Sequence, residues 1–147
     1  MKVVVQRCKD ARVTVNGNVT GKIDSGYVLF VGFTTDDTIE VVKKVVKKII
    51  DLRIFDDEND KMNYDIKNVN GSILSISQFT LYAKLNGRRP SFSDAMKYDD
   101  AKNMYEKFNE ELKTYDIKVE TGEFGGDMKV ELLNDGPVTI LIDSKEI

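Results

Sequence analysis

Residues 27–33 read Tyr-Val-Leu-Phe-Val-Gly-Phe, a run without one polar side chain. The run is too short for a typical core helix and shows no alternation of apolar with polar positions. It reads as a strand covered on both faces, so the fold must supply material on either side of a sheet. The preceding chain is also strand-like. Residues 3–5 and 11–15 are rich in Val, and Asn16-Gly17 is a two-residue hairpin turn, because both central positions of such a turn need φ > 0. The return strand covers about residues 19–23, and Ser25-Gly26 turns the chain into the apolar run.

Helical periodicity follows. Val42, Val45, Val46, Ile49 and Ile50 recur at i, i+3, i+4, i+7 and i+8, and Asp37 with Glu40 three residues on resembles a capping box. Lys43, Lys44, Lys47 and Lys48 occupy the other side. That side is either a plain solvated face or a surface that meets RNA phosphates. Residues 56–70 are polar and turn-rich, a loop with a short ordered piece. Asp56-Asp57-Glu58-Asn59-Asp60-Lys61 is not a calcium loop, because it lacks the alternating ligand register, the central Gly and the closing Glu. Residues 71–76 form the next strand and run into Ser77-Gln78-Phe79-Thr80-Leu81. The segment 84–97 is the most basic loop, with Lys84, Arg88, Arg89 and Lys97 against Asp94. A second helix spans about residues 99–115, with Ala101, Met104, Tyr105, Phe108 and Leu112 on one stripe. Strands at 128–133 and 138–142 close the chain, joined by a turn at Asn134-Asp135-Gly136-Pro137. This order predicts an α/β fold: one domain over residues 1–147, a mixed sheet or half-barrel with two helices packed on one side.

Composition narrows the chemistry. The chain of 147 residues has no histidine and one cysteine, Cys8. Ser-His-Asp and Cys-His catalysis are excluded, and so are zinc sites of the Cys/His type. No metal centre or cofactor is expected. A lone cysteine makes no internal disulfide, which suits a reducing cytoplasm. No apolar run is long enough for a membrane span, and the N-terminal patch is too short for a signal peptide. The net charge of −3 argues against a generic nucleic-acid coat but leaves room for a local basic face.

Few residues then remain to carry a reaction. Ser77 and Thr80 are hydroxyls at a strand end, either ordinary turn hydroxyls or nucleophiles, and a nucleophile needs an adjacent base that the sequence does not show. Backbone N–H groups there could form an oxyanion hole. Gly136-Pro137 is either a plain turn or a place where unusual backbone angles aim two carbonyls at a ligand. Cys8 reads as a small buried hydrophobe. Arg7, in a strand, either faces solvent or binds carbonyls with its rigid fork.

Two motifs go further. Ser77-Gln78-Phe79-Thr80-Leu81 and Asn134-Asp135-Gly136-Pro137-Val138-Thr139 resemble the paired signatures of the D-aminoacyl-tRNA deacylase family. Gln6-Arg7, residues 10–15, residues 27–32, Lys61-Met62-Asn63, Arg89-Pro90-Ser91-Phe92 and Thr121-Gly122-Glu123-Phe124 agree as well, so the resemblance covers nearly the whole chain. Cys8 stands where an aliphatic residue is common in that family.

The resemblance implies a homodimeric three-layer α/β/β fold and a cytoplasmic hydrolase of carboxylic esters. The bond cleaved joins a D-amino acid to the 3′-terminal adenosine of tRNA, and achiral glycine is an expected substrate too. The editing domain of archaeal threonyl-tRNA synthetases has a similar fold. An aminoacyl ester is already activated, and in the family the adenosine 2′-OH is thought to help activate the attacking water, so the lack of histidine is no obstacle. Ser77, Gln78, Phe79 and Thr80 are implied as the catalytic group around the aminoacyl end, with Thr80 as a nucleophile ranking second. Gly136-Pro137 is implied to be cis and to enter the partner subunit's site, where its carbonyls take the amino group and an L side chain is sterically excluded. Arg7 is implied as the support of that motif. Arg88 and Arg89 are expected RNA contacts. Ser77 and Val138-Thr139 set the chain apart from a sister family that edits L-alanine. The alternatives are an inactive tRNA-binding module and an L-aminoacyl-tRNA editing enzyme.

Overall fold

The computed structural model describes residues 1–147. Its element order is β1 (Lys2–Val15), β2 (Asn18–Gly32), α1 (Ile39–Asp51), β3 (Phe55–Asp56), β4 (Met62–Tyr64), β5 (Ser72–Ser77), a 3-10 turn (Phe79–Tyr82), α2 (Tyr98–Lys113), β6 (Val119–Thr121) and β7 (Lys129–Asp143). The main sheet runs β6-β5-β2-β1-β7, and β3 with β4 forms a separate small hairpin. β5 and β6 are parallel additions, while β1 pairs antiparallel with both β2 and β7.

The apolar run lies at the centre of this sheet, between β1 and β5. Tyr27, Leu29 and Val31 face the helices, where Val42, Val45, Val46 and Ile49 of α1 and Phe108 and Leu112 of α2 complete the larger core. Val28 faces the other way, into a smaller core with Cys8, Ala11, Val13, Ile23, Leu74 and Ile76. That second core exists because β1 and β2 run far past the ends of β5 and β6, and the overhanging hairpin curls back over them. The return is tight: a Cβ at Gly21, near the hairpin tip, would stand 2.7 Å from the Thr121 carbonyl oxygen and 3.0 Å from Leu74 Cδ1. The result is helices, sheet and folded-over hairpin, a mixed α/β architecture as expected. Asn16 (φ 49°) and Gly17 (φ 80°) turn the hairpin as their types require.

Several local expectations are corrected. Residues 3–5 and 11–15 belong to one strand, kinked where the pairing with β7 shifts between Lys9 and Arg12 and Asp10 takes φ 47°. The two closing strands are likewise one, β7, because both halves pair with β1 instead of with each other. Thr38, not Asp37, caps α1, accepting from the Val41 N–H, while Asp37 takes the N-terminal ammonium and the Thr34 N–H. β6 went unread in the sequence because three half-buried residues carry no usable period. No helix is long and apolar enough to cross a membrane.

Candidate active site

β5 ends at Ser77, opposite Val31 of β2. The Gln78 N–H adds one more bond to that ladder, reaching the Val31 carbonyl at 2.8 Å. The chain then tightens into the 3-10 turn. Leu81 is the first residue of the turn to bond back, to the Gln78 carbonyl at 3.3 Å. The amides of Phe79 and Thr80 therefore have no partner within the turn. Both are free to serve an anionic oxygen arriving from outside. Gln78 Nε2 donates to Thr80 Oγ1 at 2.5 Å, which orients the hydroxyl and leaves its own proton to give away. No carboxylate or amine hydrogen-bonds Ser77 or Thr80, so neither oxygen has a base to activate it.

A cleft of about 540 Å³ opens beside this motif. Ser77, Gln78 and Phe79 form one wall; Met96, Tyr98, Phe124 and Met128 are among the residues opposite, and Asp127 also lines the cleft. Phe79 is 54% exposed, large for an aromatic side chain, and leans edge-on against Phe92 at 5.0 Å. Phe92 ties the motif to the basic loop, which closes through paired backbone bonds between Lys84 and Ser91 at 2.7 and 3.0 Å. Lys84 is spent on Asp94, 2.7 Å away, while Arg88 and Arg89 stand exposed at the tip. Sequence reasoning did not assign Met96, Tyr98 or Met128 to this cleft; Met96 and Tyr98 read as loop and helix-entry residues and Met128 as the start of a strand, and only the return of 124–128 past β5 brings them together.

Gly136-Pro137 lies on the opposite edge of the sheet. Cys8 pairs with Asn134 and Gln6 with Thr139, so Arg7 alone faces the four residues 135–138. Those four bulge from the edge strand, and the Gly136-Pro137 bond within them is cis. Arg7 fills the space beneath and is only 6% exposed. Its Nε donates to the Asp135 carbonyl at 3.0 Å and its Nη1 to the Ile54 carbonyl at 2.7 Å, with Asp56 Oδ2 at 3.5 Å. Of the two readings open for Arg7, the carbonyl-binding one holds. Gly136 has φ 130°, and a Cβ there would stand 2.8 Å from Val138 Cγ2 and 3.0 Å from Arg7 Nη2. The mouth of the bulge is closed by Asn134 Nδ2 and Thr139 Oγ1, which both donate to Gln6 Oε1 at 2.7 and 2.9 Å. Gly136 and Pro137 are both exposed.

The two motifs do not meet within one chain. Three strand spacings across the sheet and four residue steps along β1 separate Gly136 from Ser77 by about 20 Å. Cys8 belongs to neither motif: it is 1% exposed and burial pushes its thiol up to about 11.

A sequence profile of the family described as D-Tyr-tRNA(Tyr) deacylase matches residues 4–143. The chain belongs to that family. With it goes membership of the hydrolases. A D-aminoacyl-tRNA deacylase of Anoxybacillus flavithermus is 58% identical over 99% of this chain and 100% of its own. A protein of the same description from Fusobacterium nucleatum is 54% identical over 99% and 97%. Among solved structures, the c-Myc DNA Unwinding Element Binding Protein superposes with a TM-score of 0.92 at 37% identity, covering 97% of this chain and 98% of that one. A probable eukaryotic D-amino acid tRNA deacylase shares the fold, with a TM-score of 0.82 at 18% identity over 96% and 97%.

Proposed function

We propose that the chain hydrolyses the ester between a D-amino acid, or glycine, and the 3′-terminal adenosine of tRNA, as a cytoplasmic homodimer in which each subunit completes the other's site. Residues 1–147 act as one catalytic unit. The observation that carries the dimer is the separation of the motifs. Gly136-Pro137 is exposed, rigidly clamped by a buried Arg7, and about 20 Å from the Ser77–Thr80 group of its own chain. A loop held that firmly in solvent has work to do on another molecule. The bulge also sits on the sheet's exposed edge strand, where Leu133 and Leu141 are 59% and 65% exposed, an edge that folded proteins ordinarily cover.

Water attacks the ester carbonyl, the bond from that carbon to the ribose oxygen breaks, and a proton passes to the leaving oxygen, giving free amino acid and tRNA. Electron density collects on the carbonyl oxygen, and the Phe79 and Thr80 amides are the donors for it. Ser77 and Gln78 flank the reacting carbon, and Gln78 holds the Thr80 hydroxyl as a donor. Thr80 as a nucleophile is the second reading, and the absence of any base beside it ranks it there. The cleft beside Phe79 is concave, largely apolar and partly open to solvent, suited to the terminal base. The partner's Gly136-Pro137 carbonyls take the substrate amino group, so that an L side chain would point into the bulge and a D side chain away from it. Arg88 and Arg89, joined to the motif through Phe92, contact phosphates near the terminal nucleotide. The chemistry needs no metal or cofactor.

The test mixes two disabled chains. Thr80→Val and Gly136→Ala, each feeble alone, should regain about a quarter of wild-type D-Tyr-tRNA hydrolysis on random re-association, because half the dimers are hybrids with one intact site. No recovery in the mixture, or a fully active monomer by sedimentation, would refute the shared site. Parallel assays on D-Tyr-tRNA, L-Tyr-tRNA and Gly-tRNA separate this reading from L-specific editing and from a binding module without activity.

A further inference from the structure

The cleft and the bulge account for the reacting end of the substrate, but the rest of an RNA must lie somewhere on a protein of net charge −3. Its cations are not evenly spread. Lys43, Lys44, Lys47 and Lys48 form two adjacent rows on the solvent side of α1, all exposed, and Arg53 follows just beyond the helix. Rows four residues apart repeat about every 6 Å. One acid, Asp51, interrupts them and pairs with Lys47, and Lys44 reaches the Ile147 carbonyl oxygen. Exposed pairs of this kind hold weakly and exchange readily. Lys44, Lys47, Lys48 and Arg53 line a shallow groove of about 390 Å³.

The band continues past the helix. Lys67 Nζ stands 5.2 Å over the ring of Tyr115, which follows α2 and packs against the same core as α1. Lys67, Tyr115 and Lys118 line a second open groove, of about 510 Å³, beside Ser72, with one acid, Asp116, against the two lysines. On one flank the band is bounded by Asp56, Asp57, Glu58 and Asp60 of the β3–β4 hairpin. Hydrogen bonds keep Asp57 and Glu58 below their usual range, so they stay ionised and repel phosphate.

We propose that this band, running from α1 through Tyr115 to Lys118, docks the body of the substrate RNA through its phosphates, remote from the reacting ester. The proposal rests on the reading that the substrate is a tRNA. Spacing supports it: Ser72 at the second groove and Ser77 at the site are five residue steps apart on β5, about 17 Å. That distance equals about five nucleotides of stacked strand. The band thus receives the phosphates upstream of the terminal nucleotides, and its affinity is sequence-independent and salt-sensitive.

The test is the variant K43Q/K44Q/K47Q/K48Q, in which Gln keeps the helix propensity of Lys. Binding of uncharged tRNA by fluorescence anisotropy should weaken at least ~10-fold near 0.1 M salt, and the slope of log K against log salt should become shallower by about 2 to 4. The all-arginine variant at the same positions should bind as wild type does. KM for D-Tyr-tRNA should rise with kcat unchanged, and hydrolysis of D-tyrosyl-adenosine, which has no RNA body, should be untouched. Unchanged tRNA affinity and slope would overturn the proposal. So would an equal loss on both substrates, which would mean that the change acts through the site or the fold, and so would displacement of tRNA by polyglutamate at equal charge, which would make the band an acidic-protein surface. Inactivity of the wild type toward every D-aminoacyl ester would instead refute the hydrolase reading, and anisotropy would still decide the docking.

Discussion

Gly136→Ala tests the bulge most directly. The new methyl would stand 2.8 Å from Val138 Cγ2, 3.0 Å from Arg7 Nη2 and 3.1 Å from the Val138 nitrogen. Arg7 cannot yield, because its guanidinium is bound to the Ile54 and Asp135 carbonyls. A φ of 130° is also one that side chains resist. Such backbone strain costs about 1–3 kcal/mol. Taken from a stability of about 5 kcal/mol, the low end for natural domains, this leaves ~2 kcal/mol and a chain still about 97% folded. Loss of fold therefore removes only a few per cent of activity. The bulge itself, however, must shift by the several tenths of an ångström that the contacts demand, and misplacement on the scale of 1 Å costs on the order of 100-fold. The assay pairs thermal unfolding with D-Tyr-tRNA hydrolysis. The melting temperature should fall by roughly 3–10 °C and kcat/KM by 30-fold or more, about 2 kcal/mol in the barrier. A folded Gly136→Ala protein with wild-type kcat/KM would show that the bulge takes no part in the reaction.

Arg7→Lys should lower stability by about 2 kcal/mol, because an ammonium cannot serve both carbonyls that the guanidinium fork serves. Amide exchange across residues 134–139 should speed up with it, and unchanged exchange there would refute the clamp. Cys8 predicts an alkaline effect. Its folded thiol titrates at about 11, above the ~8.5 of an unfolded thiol, so the unfolded chain releases that proton first and stability falls as pH rises. Between pH 9 and 11 the wild type should lose about 2 kcal/mol more than Cys8→Ala in urea unfolding. Parallel pH profiles would refute the assigned burial effect. At pH 8 the native thiol should also resist iodoacetamide without loss of activity.

Local pattern and global arrangement divided the information unevenly. The apolar run at residues 27–33, the Asn16-Gly17 turn and the stripe Val42–Ile50 each act through near neighbours, so their periods and turn chemistry were legible along the chain. The absence of histidine was equally plain, and it excluded whole classes of mechanism before any fold was known. The two motifs identified the family as residue strings. What they could not disclose was their separation. Nothing local says that both halves of β7 pair with β1, that Arg7 therefore sits opposite four residues, or that Gly136 ends about 20 Å from Ser77. Register between distant strands depends on the sum of many pairings and on where the bulges fall. The same reason hid β6 and the cleft walls at Met96, Tyr98 and Met128, whose neighbours come from distant parts of the chain. Sequence determined both helices, the central strands and the chemistry that was possible; the tertiary structure decided how the outer strands pair and which residues share a site, because proximity across a curled sheet is set by the whole core.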